Sequence, residues 1–161
     1  MLLGLDISTS ITGATILDTS GKLVYCESWD MRNKKYFPSL FDKARFIKNK
    51  IWELDDGFSI NHVYIEQSLQ SFRSGFSSAK TLSTLSRFNG IVSWFCYDIF
   101  KIEPTYIAAS SARKRCGISI PRGSKAKEVV IKHVIDNVPD VLIEYTKHGN
   151  PKPDCYDKAD S

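Results

Sequence analysis

Long hydrophobic runs are missing from this chain of 161 residues. Nothing in it approaches the roughly 18 uninterrupted apolar residues that a membrane span requires. The opening MLLGLDIS meets an acid at Asp6, too early for a secretory signal, so the expectation is a cytosolic protein. Cysteine pairs are missing as well: Cys26, Cys96, Cys116 and Cys155 stand far apart with no CxxC spacing. That argues against a zinc site or a disulfide framework and reads the four as reduced thiols. Repeats and low-complexity tracts are absent, and a net charge of +4 is too small to name a partner by itself. What is present, 42% hydrophobic and 12% aromatic residues, suffices for one core of ordinary size, so residues 1–161 read as a single α/β domain.

The first thirty residues alternate as a meander, LLGLDIS, TGATILD and KLVYCESW, with a turn at Thr19–Lys22, which predicts three consecutive antiparallel strands. From Ser39, the residues Leu40, Phe41, Ala44, Ile47, Ile51 and Leu54 recur at helical spacing, and Asp56-Gly57 ends that helix. His62–Glu66 reads as a strand that follows a helix and therefore runs parallel to the first. Residues 67–78 are polar and open a long helix that runs to about Phe100. Its stripe Leu82, Leu85, Val92, Phe95 and Ile99 can face the sheet, while Phe88, Ile91 and Trp94 need another cover, either a second subunit or more of the same chain. A fifth strand at Glu103–Ala108, a basic helical turn at Ser110–Cys116 and a helix from Lys125 to Asn137 capped by Ser124 follow. The segment 147–153 reads as an exposed linker before DCYDKADS.

Asp6 sits within an apolar strand and Glu66 ends another, and an ionised carboxylate among such neighbours is costly unless paired or bound to a cation. If the first and fourth strands are adjacent and parallel, the two acids end side by side. Asp157 and Asp160, three residues apart, would share one helix face and could bring four carboxylates together. An oxygen-only set selects Mg²⁺ or Mn²⁺ over zinc, and two such ions about 3.5–4 Å apart can drive an in-line phosphodiester displacement. Arg113, Lys114, Arg115, Arg122, Lys125, Lys127 and Lys132, set against Glu128 alone, form a basic window that suits a phosphate backbone or, more plainly, a solvated face.

These residues resemble a known family. Leu3–Ala14, then Tyr64-Ile65-Glu66-Gln67, then Asp157-Lys158-Ala159-Asp160 are similar to the three acidic motifs of the RuvC Holliday-junction resolvases. Leu82–Asp98 resembles that family's long helix, and Ala108–Val134 its basic helix-loop-helix segment. The resemblance implies an RNase H-like fold with a five-stranded mixed sheet flanked by helices. It also implies a Mg²⁺-dependent endonuclease with two ions per site, acting as a homodimer through helix 77–100 to nick opposed strands of a four-way DNA junction. By position it makes Asp6, Glu66, Asp157 and Asp160 the metal-binding tetrad, with Lys127, or failing it Lys125, as the basic residue of the site. It likewise makes Leu69, Phe72 and Arg73 part of a junction-contacting loop, and Arg113, Lys114, Arg115, Arg122, Lys125 and Lys127 the DNA-binding residues.

Three departures stand out. Ile7-Ser8 follow the first acid where the family has Pro-Gly, so the turn must be made differently; Leu69 stands where an aromatic residue is expected, with Phe72 nearby. Ser161 follows the last acid, leaving barely one turn for a truncated C-terminal helix, so Asp157 and Asp160 are expected to be the least well placed of the four. The rival readings are an RNase H-like protein of the YqgF type acting on RNA, and a non-catalytic branched-DNA-binding module.

Overall fold

Alternation of inward and outward side chains produces the expected meander in the computed structural model, which describes residues 1–67 and 79–161. β1 (Leu2–Asp6), β2 (Ile11–Leu17) and β3 (Leu23–Asp30) pair antiparallel in sequence. The turn after β1 is built without Pro-Gly. The Thr12 hydroxyl donates to the Ser8 carbonyl at 3.1 Å and accepts from the Ser8 N–H at 3.3 Å, which closes the hairpin through a buried side chain.

Helix α1 (Leu40–Gly57) begins at a capping box in which Ser39 and Asp42 satisfy each other's backbone N–H groups. It returns the chain to β4 (His62–Glu66), which pairs parallel with β1, and β5 (Thr105–Ile107) adds at the edge. The order is β3-β2-β1-β4-β5. α1 and α2 (Ala79–Phe100) cover one face: Ile47 and Ile51 of α1 and Phe88, Val92 and Cys96 of α2 are fully buried against Leu3, Ile16, Val63 and Ile65. No described helix is long and apolar enough to cross a membrane.

The rotation of α2 agrees with the sequence reading at Val92, Phe95 and Ile99 and differs at Phe88 and Ile91, which also pack into or against the core. Phe88 points into the core instead of needing a second cover, and Asn89 and Ser93 are buried beside it. The helix is apolar nearly all round, so periodicity left its rotation open. Both inward polar groups are satisfied there: the Ser93 hydroxyl donates to the Asn89 carbonyl at 2.7 Å, and the Asn89 amide reaches the Glu66 carbonyl at 3.5 Å.

The other face is covered by α5 (Pro153–Asp160), with α4 (Ala126–Asn137) packed against it. α4 starts from Lys125 rather than Ser124, with no side-chain cap. α3 (Ala109–Arg115) precedes it. The segment read as a linker is a closed turn instead: Tyr145 bridges Pro151, Gly149 takes φ 78°, and Lys152 pairs with Glu144.

Far from being one unsupported turn, α5 spans eight residues and lies directly on the sheet. It has tertiary partners that an isolated turn lacks. Two glycines permit the contact. A Cβ on Gly13 would stand 1.9 Å from the Asp157 carbonyl oxygen, and one on Gly4 would stand 2.2 Å from that of Ser161. The buried Cys155 anchors the helix from below, its sulfur meeting the Glu144 N–H at 3.3 Å, and Ser161 Oγ meets Thr15 Oγ1 at 2.7 Å.

Because the obstructing atom at Gly13 is backbone, it cannot swing aside. Gly13→Ala is expected to lift α5 and cost about 1–3 kcal/mol. The expected readout is a lowered Tm together with faster amide exchange over 153–160, while α1 keeps its protection; unchanged exchange in α5 would contradict this packing.

Candidate active site

The register of the two central strands brings the first two acids together. β1 and β4 are parallel, with Leu5 opposite Ile65, so Asp6 and Glu66 emerge side by side at adjacent carboxyl ends, as the sequence reading required. Leu3 and Leu5 belong to the core under α1 and α2, which turns Gly4 and Asp6 to the face covered by α5. Asp157 and Asp160, one turn apart on α5, then bring their carboxylates to the same place. Both carboxylates are mostly shielded, with about 17% and 16% of the side chain exposed. Lys127, in the first turn of α4, completes the group: its Nζ lies 3.1 Å from Asp157 Oδ1 and 3.5 Å from Asp160 Oδ2.

Charge in this cluster is not balanced. Burial, then the carboxylates of Glu66 and Asp160, push Asp6 up from 3.8 to about 7; Asp157 adds to this and Lys127 opposes it. Burial and Asp160 likewise raise Glu66, eased by Arg113 and Lys127. Asp160 is raised by burial and by Asp157, against the pull of Lys127 and Arg113. Burial works against the Lys127 ammonium, but Asp157, Asp160 and Asp6 prevail and hold it above the ordinary lysine value. A proton, Lys127 or a cation from solution must therefore stabilise the group.

All the donors are carboxylate oxygens, a set suited to a hard divalent cation. As the side chains stand, no three His, Cys, Asp or Glu among the described residues already surround one point, and it is Lys127 that sits between Asp157 and Asp160. The donor chemistry fits a divalent ion, and the raised Asp6 reflects the same surplus of negative charge that such an ion would neutralise.

The basic window divides. Lys125 pairs with Glu128 at 3.0 Å and Lys132 with Asp136 at 2.8 Å, while Lys127, its side chain still 58% exposed, reaches the carboxylates of α5. Arg113, in the last turn of α3, is near enough to act on Glu66 and Asp160. Lys114 and Arg115 beside it and Arg122 in the following loop make no ion pair among the described residues. Leu69, Phe72 and Arg73 lie outside the described residues. Sequence reasoning missed Asn89, whose amide ties α2 to the end of β4 beside Glu66. Its signal was an amide in an apolar helix, one position from the stripe that proved to be buried.

The sign of the pH effect follows from Asp6. Its folded value of about 7 exceeds the ordinary 3.8, so folding favours the protonated form, and this contribution to stability is lost as pH rises through about 7. Asp6→Asn removes the penalty. Without divalent ions the variant should melt above the wild-type chain at pH 8, by roughly 5 °C or more, with the gap closing near pH 4. Thermal melts in EDTA at both pH values check this, and equal melting at pH 8 would contradict the burial of an uncompensated charge.

No family model matches the chain, and no curated protein matches it in sequence. Solved structures do match. Thermus thermophilus RuvC in complex with a Holliday junction substrate aligns with a TM-score of 0.68 at 12% identity, over 99% of this chain and 87% of that one. A second Thermus thermophilus RuvC structure aligns at 0.62 with 14% identity, over 99% and 89%. The yeast mitochondrial Holliday junction resolvase Ydc2 aligns at 0.63 with 14% identity, over 99% of this chain and 73% of that one. The chain therefore has the RNase H-like fold of these proteins, with its carboxylate cluster at the carboxyl ends of the two central strands.

Proposed function

We propose that this chain is a divalent-metal-dependent endonuclease that resolves four-way DNA junctions by nicking opposed strands, working as a homodimer. The observation that carries this reading is the gathering of Asp6, Glu66, Asp157 and Asp160, with Lys127 in contact, on a fold shared with RuvC and Ydc2. A set of half-buried carboxylates that Lys127 and Arg113 only partly offset is expensive to maintain, and a phosphoryl-transfer site that takes up Mg²⁺ or Mn²⁺ gives it a use.

Asp6, Glu66, Asp157 and Asp160 would hold two ions. When bound, these supply charge neutralisation at the phosphate and a nucleophile at neutral pH. The protein's own groups do the rest. Burial of Asp6 and Glu66 keeps water from screening the site, which strengthens every charge interaction within it. Lys127 can pair with its carboxylates or with a phosphate oxygen, as a point charge on a flexible stem. Arg113, Lys114, Arg115 and Arg122 supply the cations that a phosphate backbone follows, which makes binding depend on salt.

The outer face of α2 supports the homodimer. Trp94 and Tyr97 are 59% and 47% exposed with rings 5.7 Å apart, and a Cβ on Gly90 would meet nothing within 4 Å. Glycine inside a helix costs about 1 kcal/mol relative to alanine. A bare backbone beside two exposed aromatic rings suits the close approach of a second helix.

With Mg²⁺, the protein should place symmetrical nicks in a synthetic four-way junction and leave a matched linear duplex and a matched RNA hairpin intact. Asp6→Asn or Glu66→Gln should lower cleavage at least about 100-fold while junction binding persists in a gel shift. Cleavage of the RNA alone would favour the RNA-processing reading, and unchanged cleavage by both variants would remove the site. For assembly, Trp94→Glu should convert a dimer to a monomer in analytical ultracentrifugation with the far-UV spectrum unchanged. A wild-type chain that sediments as a monomer at every concentration would refute the dimer.

A further inference from the structure

A second basic surface lies apart from the cations of the acid cluster. Residues 30–53 hold seven lysines and arginines against three acids, a surplus equal to the +4 net charge of the whole chain. Three of the seven are engaged by those acids: Arg32 by Asp30, Arg45 by Asp42 and Lys50 by Glu53. Lys43 donates to the Thr9 carbonyl in the turn after Asp6. Lys34, Lys35 and Lys48 make no ion pair among the described residues. Exposed rings alternate with these cations. Tyr36 is 68% exposed with Lys35 Nζ 6.0 Å from its ring centre, and Phe41, at the start of α1, is 76% exposed. Trp52 is 50% exposed with Lys48 Nζ 4.8 Å from its ring centre.

Phe41, Arg45, Lys48 and Trp52 follow one another at intervals of four, three and four residues, which sets them in one stripe along the outer side of α1. The stripe covers about 16 Å at 1.5 Å per residue. Its first turn adjoins the end of the sheet that carries the acids. Lys43 holds the turn that follows Asp6, and the Met31 N–H donates to the Ser10 carbonyl of that same turn at 2.7 Å. We propose that loop 32–37 and the outer stripe of α1 bind single-stranded DNA, with unpaired bases stacked on Tyr36, Phe41 and Trp52 and the phosphates following Lys34, Lys35, Arg45 and Lys48.

Cations alone would suit any polyanion. The exposed rings narrow the choice, because a duplex keeps its base faces stacked inside while a single strand offers them to aromatic side chains. An apolar protein surface would cover the rings but leave Lys34, Lys35 and Lys48 without counter-charge. That the strand is DNA rests on the nuclease reading above; the stacking track itself does not. A branch point seated at the acids then lays an unpaired arm along α1, which extends the substrate class to junctions, forks and flaps that carry a single-stranded segment.

The experiment titrates a fluorescein-labelled oligo(dT) of about 15 nucleotides, within the span that stacking platforms occupy, with the full chain in EDTA and reads anisotropy. The wild-type chain should bind, with affinity falling as salt rises. Phe41→Ala and Trp52→Ala should each weaken binding at least about fivefold, and Trp52→Phe, which keeps a ring, should retain most of it. Binding of a matched duplex should barely change in Phe41→Ala, and that variant should nick a fully paired junction at the wild-type rate. Phe41 lies outside the core, so its variant decides the matter if circular dichroism shows Trp52→Ala to be unfolded. No binding of oligo(dT), wild-type affinity in the folded alanine variants, or equal losses on duplex and single strand would overturn the inference. So would tighter binding of an equally long oligo(U), which would assign the track to RNA. A dimer that Phe41→Ala turns into a monomer in analytical ultracentrifugation would make the stripe an interface between copies and overturn it too. A chain that binds oligo(dT) as expected yet cuts no junction would keep the inference and overturn the nuclease reading alone.

Discussion

The arrangement depends on a contact between backbones. α5 reaches the sheet only because Gly4 and Gly13 present no side chain where Ser161 and Asp157 come down. The meeting of the α5 acids with the strand acids follows from that approach. Asp157 and Asp160 can meet Asp6 and Glu66 because the helix lies against the strands instead of riding above them on a layer of side chains. The packing of α5 and the geometry of the carboxylate cluster therefore share one cause.

The cluster itself runs against ordinary folding preference. Four acids are drawn into a partly dehydrated corner where Lys127 makes direct contact with two of them and Arg113 helps from nearby. Such local conflict is retained in proteins where function requires it. The rest of the chain is consistent by contrast: α1 opens on a capping box, the core under it is apolar, and every buried side-chain polar atom among the described residues has a partner.

Much of the fold was legible because its signals were local. Alternation marked β1 to β3, Ser39 marked the start of α1, and the helix before His62 implied a parallel partner for β1, which put Asp6 beside Glu66. The failures concern the third dimension. Periodicity left open whether Phe88 or Leu85 of α2 faces inward, because the helix is apolar nearly all round; Phe88 is the one in the core, with Asn89 beside it bonded to β4. The docking of α5 depends on two glycines more than 140 residues away in the chain, so a helix judged by its own length looked unsupported. Lys127 was reachable only through family resemblance, because its neighbours Lys125 and Lys132 carry the same charge and the sequence does not say which of the three reaches α5.

Asn89 gives α2 two faces with different duties. Outward the helix presents Trp94 and Tyr97; inward it grips the Glu66 carbonyl at the tip of β4. The span between them is a single rigid rod with no loop to absorb movement. The tie to the acid-bearing strand and the solvent-facing aromatic pair therefore sit on opposite sides of the same helix.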